Sequence, residues 1–209
     1  MPDKAYRAAA VVLAAGSYPC GEISAALLAG AGRVVCCDGA ADEFIARGGS
    51  PAAIVGDGDS LSPANRTRYA DLLHVSADQE SNDQTKAVRF CFERGWSPVV
   101  ILGATGRRED HTVGNISLLA DYVRQGEAMT VTDYGVFNAI DCDSRFESRP
   151  GQQVSIFTLS PATRVGVSNL QYIPPAGGMR SWWQGTLNES LSDEFTIRTD
   201  GPTLVFRLF

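Results

Sequence analysis

Asp57-Gly58-Asp59 sets two carboxylates one residue apart. A glycine between them lets the backbone turn tightly enough to aim both at one ion. Hard cations such as Mg²⁺ are held by a few carboxylates together with phosphate oxygens. Asp and Gly are also the commonest residues of a solvated turn, so the spacing alone leaves both readings open. Asn82-Asp83-Gln84-Thr85-Lys86 reads as a helix start, with Ser81 or Asn82 as N-cap and Asp83 at the positive end of the helix dipole. Lys86, three residues on, shares a face with Asp83. A carboxylate beside an ammonium at a helix N-terminus can hold a metal–phosphate group. The plainer reading is an exposed helix lysine, although Lys4 and Lys86 are the only lysines in the chain. Residues 103–111 form a glycine-containing loop with Arg107 and Arg108. Glycine permits close backbone approach and arginine matches phosphate oxygens. The loop has neither a Walker ending nor GxGxxG. Asp110 can cap the following helix, and His111 reads equally as structural or catalytic.

The elements that must position these residues alternate. Apolar runs predict strands over 9–14, 34–37, 54–55, 72–75, 99–102 and 129–132, with helices over 22–28, 41–47, 83–93 and 112–124. That alternation implies crossover units and a mostly parallel sheet. Polar clusters at 38–39, 56–60, 78–86 and 103–115 each follow a predicted strand. In an open α/β sheet ligands bind beyond the strands' carboxyl ends, so these clusters are expected to converge. From residue 146 the pattern becomes short β-type runs at 154–159, 164–167, 195–198 and 203–208, broken by Pro and Gly pairs. The expected fold is therefore α/β, with a mostly parallel α/β domain over 1–145 and a small antiparallel β domain over 146–209.

Composition narrows the function classes. The chain of 209 residues carries a net charge of −6. Residues 1–145 hold 13 Lys and Arg against 19 Asp and Glu, whereas 146–209 hold 5 of each. This argues against a nucleic-acid binder. Five cysteines without a CxxC, and only His74 and His111, give little support to a Cys/His zinc site and suggest reduced thiols. The longest apolar run, 8–15, is too short to span a bilayer. No basic leader with a cleavage site is evident, so a cytoplasmic protein without membrane partners is expected.

Taken in order, the motifs resemble the thiamine pyrophosphokinase family. That family runs Asp-Gly-Gly-Ala-Asn, Gly-Asp-Phe-Asp-Ser, Asp-Gln…Thr-Asp…Lys and Gly-Gly-Arg-x-Asp-His. The chain has Asp38-Gly39-Ala40-Ala41-Asp42, Gly56-Asp57-Gly58-Asp59-Ser60, Asp78-Gln79…Asn82-Asp83…Lys86, Gly106-Arg107-Arg108-Glu109-Asp110-His111 and then Asn115. Leu170-Gln171-Tyr172 and Gly185-Thr186-Leu187-Asn188-Glu189 resemble later segments more loosely. Departures from the pattern include four positions. Gly58 replaces an aromatic residue, Arg107 and Asn169 each replace a glycine, and Leu187 replaces a serine.

The resemblance implies pyrophosphate transfer from ATP to the hydroxyl of thiamine, with Mg²⁺, in a homodimer whose active site lies between subunits. It implies Asp57, Asp59 and Asp83 as metal ligands, and Lys86 and Arg108 on phosphate with Asp110 orienting them. Asp38, Gln79 and Asn82 would complete the ATP site. Asn188 would contact thiamine, and Trp182 or Trp183 beside it could stack on this cationic substrate. Two other readings are a related pyrophosphokinase acting on another alcohol such as a pterin, and a thiamine- or nucleotide-binding sensor without turnover.

Overall fold

The computed structural model describes residues 6–76, 78 and 80–209. The chain divides into two compact units. One comprises the residues up to Leu118 together with Gln125–Asp133, and the other Leu119–Arg124 and Tyr134–Phe209.

The first unit is built on a parallel sheet of β1 (Ala10–Leu13), β2 (Val34–Cys37), β3 (Ala53–Gly56), β4 (Leu73–Val75), β5 (Val99–Leu102) and β6 (Ala128–Val131). Its order is β6-β5-β1-β2-β3-β4, with every neighbouring pair parallel. All residues of β1, β2, β3 and β5 are buried, as strands covered on both faces must be. The helices are α1 (Glu22–Ala29), α2 (Ala40–Ala46), α3 (Pro63–Arg68), α4 (Asp83–Glu93) and α5 (Glu109–Ser117). α4 packs on β1, β2 and β3. Its start is fixed by Asn82, whose side chain accepts the Thr85 N–H at 2.9 Å.

The expected helix over 112–124 is two helices. α5 begins at Glu109, so Glu109, Asp110 and His111 form its first turn and Arg108, not Asp110, is the N-cap. The short α6 (Leu119–Tyr122) groups with the second unit. Gly114 and Ser117, weak helix formers, lie just before the break.

The second unit holds two antiparallel sheets. One has the order β11-β9-β13-β7, from β7 (Gly135–Ile140), β9 (Gln153–Thr158), β11 (Asn188–Glu189) and β13 (Thr203–Leu208). The other is β10-β12-β8, from β8 (Ser144–Glu147), β10 (Val165–Ser168) and β12 (Glu194–Thr199). Alternate residues of β9 and β12, among them Val154, Ile156, Phe195 and Ile197, meet in one buried cluster with Phe146 and Val205. The α/β fold with a small antiparallel β part is as expected. The division falls at Asp133/Tyr134, earlier than the 145/146 boundary expected from the change of pattern, because β7 pairs along its whole length with β13.

All five cysteines are free. Cys36, Cys37 and Cys91 are buried, and Cys20 and Cys142 are exposed. Burial pushes the Cys36 and Cys91 thiols up to about 12, which removes them as nucleophiles near neutral pH. Among the described residues no helix is long and apolar enough to cross a membrane.

Candidate active site

Asp38 leaves the end of β2, Asp57 follows β3, and Asp83 opens α4, which lies over those strands. Each offers a carboxylate oxygen within 4.8 Å of the other two. The tight turn after β3 is made by Gly58 at φ 80°. A side chain on Gly56 would come within 2.8 Å of the Asp38 Cβ and 3.3 Å of the Asp83 Cγ, so glycine there is what lets the carboxylates close in. Asp38 is buried. Its Oδ2 accepts the Ser60 N–H at 2.9 Å, while its Oδ1 meets no hydrogen-bond donor among the described residues. Burial raises the Asp38 carboxyl above the usual aspartate range. Asp57 and Asp83 push the same way, against the Ser60 hydrogen bond. The Asp57 carboxyl is lowered, chiefly because its Oδ1 accepts the Asp59 N–H at 3.1 Å.

Lys86 is the cation of this group. Its side chain is only 7% exposed, and its Nζ lies 3.2 Å from Asp83 Oδ1. Asn82 both caps α4 and donates from its side chain to Asn115 Oδ1 at 3.0 Å, and Asn115 donates to Ala104 O at 3.0 Å. These two amides tie the start of α4 to the loop after β5.

The structure thus brings Asp57, Asp83 and Lys86 together and adds Asp38, which was expected to line the ATP site. Asp59 is exposed and is not one of the three converging carboxylates. Arg108 is exposed and held as a fork by Asp110, with contacts of 2.5 and 3.1 Å. That pairing, with the His111 N–H, draws the Asp110 carboxyl down to about 2. Asp78 accepts hydrogen bonds from Ser81 and the Glu80 N–H, and lies 3.4 Å from Arg89. Gln79 lies outside the described residues. Sequence reasoning did not single out Glu43. It pairs with Arg47 at 2.8 Å and Arg107 at 3.6 Å, beside a cavity of about 270 Å³.

In the second unit, a cavity of about 250 Å³ is lined by Tyr172, Ile173, Leu187 and Asn188 among others. The Asn188 amide is spent on backbone. It accepts the Tyr172 N–H at 3.0 Å and the Glu189 N–H at 2.9 Å, and donates to Tyr172 O at 2.7 Å. It therefore shapes the loop that lines the cavity. Trp182 is half-exposed and its indole N–H donates to Thr158 O at 3.0 Å. Trp183 is 74% exposed, leaving a ring face open to a ligand.

Comparison with known proteins assigns both parts. A model described as thiamin pyrophosphokinase, catalytic domain, matches residues 25–131. A second, thiamin pyrophosphokinase, substrate-binding domain, matches residues 135–206. The chain belongs to the thiamin pyrophosphokinase family. It is 32% identical over 108 residues to thiamin pyrophosphokinase 1 of Caenorhabditis elegans, a match covering 47% of this chain and 44% of that protein. It is 33% identical over 87 residues to thiamine pyrophosphokinase of Bacillus subtilis (strain 168), covering 40% and 41%. Each match spans less than half of the relative.

Solved thiamin pyrophosphokinases share the fold over nearly the whole chain. That from Geobacillus thermodenitrificans has a TM-score of 0.76 at 20% identity, over 96% of this chain and 97% of that one. That from Candida albicans has 0.78 at 16% identity, over 96% and 90%. Within this family the departures at 169 and 187 acquire a backbone context. Asn169 and Leu187 both adopt φ 58°. Asn is the usual substitute for glycine in that region, whereas Leu is strained there.

Proposed function

We propose that the protein transfers the pyrophosphoryl group of ATP to the hydroxyl of thiamine, giving thiamine diphosphate and AMP. The observation that carries this reading is the convergence of Asp38, Asp57 and Asp83 beside Lys86, inside the stretch matched by the catalytic-domain model. Three carboxylates this close repel one another unless a cation joins them. The donors are all oxygen, and the buried, donorless Oδ1 of Asp38 fits a hard divalent ion. Asp38, Asp57 and Asp83 would hold Mg²⁺, which when bound supplies neutralisation of the polyphosphate charge.

The chain's own groups do the rest. Lys86 and Arg108 bind phosphate oxygens, and Asp110 holds the Arg108 fork in orientation. Asn82 and Gln79 complete the ATP site. The thiamine oxygen forms its bond to the β-phosphorus as the bond to the α–β bridging oxygen breaks, and AMP leaves with that electron pair. We assign Asp59 the alcohol's proton rather than the cation, since its carboxylate is exposed and stands outside the converging group. No enzyme nucleophile is required, in keeping with the raised buried thiols. Trp183 offers its open face to the thiazolium, with Trp182 and Asn188 holding the surrounding loop.

This reading includes a homodimer in the cytoplasm. Exposed Tyr172, Ile173, Trp183 and Leu187 form apolar surface suited to a second copy, and five free thiols suit a reducing compartment. The test is AMP release from ATP and MgCl₂ with and without thiamine. Thiamine-dependent AMP is expected. Equal AMP with and without thiamine would remove the proposed activity.

A further inference from the structure

We propose that Arg66 is a positioning residue for the carboxylate group: its guanidinium, set on the Gly58 carbonyl, orients and polarises the peptide that holds Asp57. This role rests on the divalent-cation site proposed above and names a residue outside that site on which its geometry depends.

The peptide between Gly58 and Asp59 is bonded at both ends. Its N–H donates to Asp57 Oδ1 at 3.1 Å, and its carbonyl accepts from Arg66 Nη1 at 3.2 Å. A charged donor on an amide oxygen draws electron density from the nitrogen and strengthens the N–H as a donor. Among the described residues no carboxylate pairs with Arg66, so its charge acts on that carbonyl undivided. A carboxylate held at one oxygen keeps one orientation, and in this one Asp57 offers an oxygen within 4.8 Å of those of Asp38 and Asp83. The turn has little else to fix its middle. Gly58 adopts φ 80° and carries no side chain to pack, where the family pattern has an aromatic residue. A Cβ at 58 would find Arg66 Cζ at 3.6 Å and Nη2 at 3.7 Å as its nearest neighbours, so the guanidinium borders the space that glycine leaves bare.

Arg66 can orient a loop because its own backbone is fixed. α3 is a short helix, and short helices depend on anchors outside themselves. Asp42, in the first turn of α2, accepts the Ser62 N–H at 2.8 Å, the Ser62 hydroxyl at 2.6 Å and the Asn65 side-chain amide at 2.6 Å. Ser62 caps α3, Pro63 begins it, and the Arg66 N–H donates to Ser62 O at 2.8 Å. Donors converging on one side chain suit a carboxylate. An asparagine, as the family pattern has at this position, offers one acceptor oxygen and turns an NH₂ toward the remaining donors. The departures at 42 and 58 therefore fit one another. The loop lacks an aromatic side chain, and a carboxylate at 42 sets the helix whose arginine holds that loop.

The experiment is titration of the full chain with Mn²⁺ alone, which shares the oxygen preference of Mg²⁺, followed by the EPR signal of the free ion. Arg66→Met keeps an apolar stem and removes the donor and the charge, whereas Arg66→Lys keeps a charged donor. By Coulomb's law alone, deleting a cation near a cation site tightens that site. The positioning role predicts the reverse. Arg66 is exposed, so Arg66→Met should weaken Mn²⁺ by about fivefold, the order of one net hydrogen bond, with Arg66→Lys within about twofold of wild type. In turnover, the Mg²⁺ needed for half-maximal rate should rise by the same factor in Arg66→Met while KM for thiamine is unchanged. Unchanged or tighter Mn²⁺ in Arg66→Met would overturn the role. Equal weakening in Arg66→Lys would also overturn it, since a donor to the carbonyl would then not matter. A wild-type chain that binds no Mn²⁺ would remove the cation site and the role of Arg66 together. The expected Mn²⁺ pattern in a chain that makes no thiamine-dependent AMP would sink the activity and leave the role of Arg66 standing.

Discussion

Asp38 sits at φ 35°, a backbone region most residues avoid, and that twist turns its carboxyl inward against Asp57 and Asp83. Its folded-state pKa is raised, by burial first. The stability it contributes is therefore present in full below the ordinary aspartate range of about 3.9 and is lost as pH rises through the raised folded value. At pH 8 without a divalent ion, the charged form is a cost that Asp38→Asn removes, and Asn tolerates this backbone. The variant should melt at or above wild type in EDTA and lose the rise in Tm that MgCl₂ gives wild type. An unchanged Mg²⁺-dependent rise, measured by scanning fluorimetry, would take Asp38 out of the ligand set. Lys86→Met should lower kcat/KM for ATP by about 10²-fold or more with little change in fold, because a preorganised charge on phosphate is lost. The residue types at 57, 83 and 86 were legible in sequence because a turn glycine and a helix start fix where they point. The convergence of Asp38 in place of Asp59 was not, since it depends on one backbone torsion and on the missing side chain at Gly56.

At the scale of elements, α1 is anchored through Asp133, just past β6. Its carboxylate accepts the Cys20 N–H at 3.2 Å and the Cys20 thiol at 2.9 Å, and also takes the Ser24 hydroxyl. Burial works to raise this carboxyl, but bonds from Cys20, Ser24 and Gly21 outweigh it and bring it to about 2. A depressed carboxyl contributes stability above the ordinary aspartate range and loses it as pH falls, here from about 4 to about 2. Asp133→Asn should cost about 1 kcal/mol at pH 7 and flatten the acid limb of a denaturation series over that window. An unaltered acid limb would mean that α1 is held by other contacts. In the second unit, Leu187→Gly should relieve strain at φ 58° and raise stability by about 1 kcal/mol in urea denaturation. The bounds of α4 and β5 were readable from an N-cap and a buried apolar run. α3 carried a signal that went unread, Ser62 as cap before Pro63 at the first turn. β7 gave none, because its inward residues do not alternate with outward ones. The domain boundary moved with it.

For the whole molecule, the −6 concentrated in the first 145 residues resolves into separate roles. Asp38, Asp57 and Asp83 converge as the proposed cation site. Asp42 secures the start of α3, accepting the Ser62 N–H at 2.8 Å and the Asn65 amide at 2.6 Å. Asp110 and Asp78 pair with arginines. The composition showed a surplus of charge but not which side chains turn inward. The two-part organisation was legible, because period-3.6 stretches give way to short β runs, and the family models divide the chain in the same sense. The central claim is that two phosphorus atoms move together from ATP to thiamine, and ³¹P NMR of a reaction containing the full chain, ATP, thiamine and MgCl₂ tests it most directly. AMP and thiamine diphosphate should appear in equal amounts and vanish with EDTA, whereas ADP with thiamine monophosphate, or AMP without a thiamine product, would contradict it.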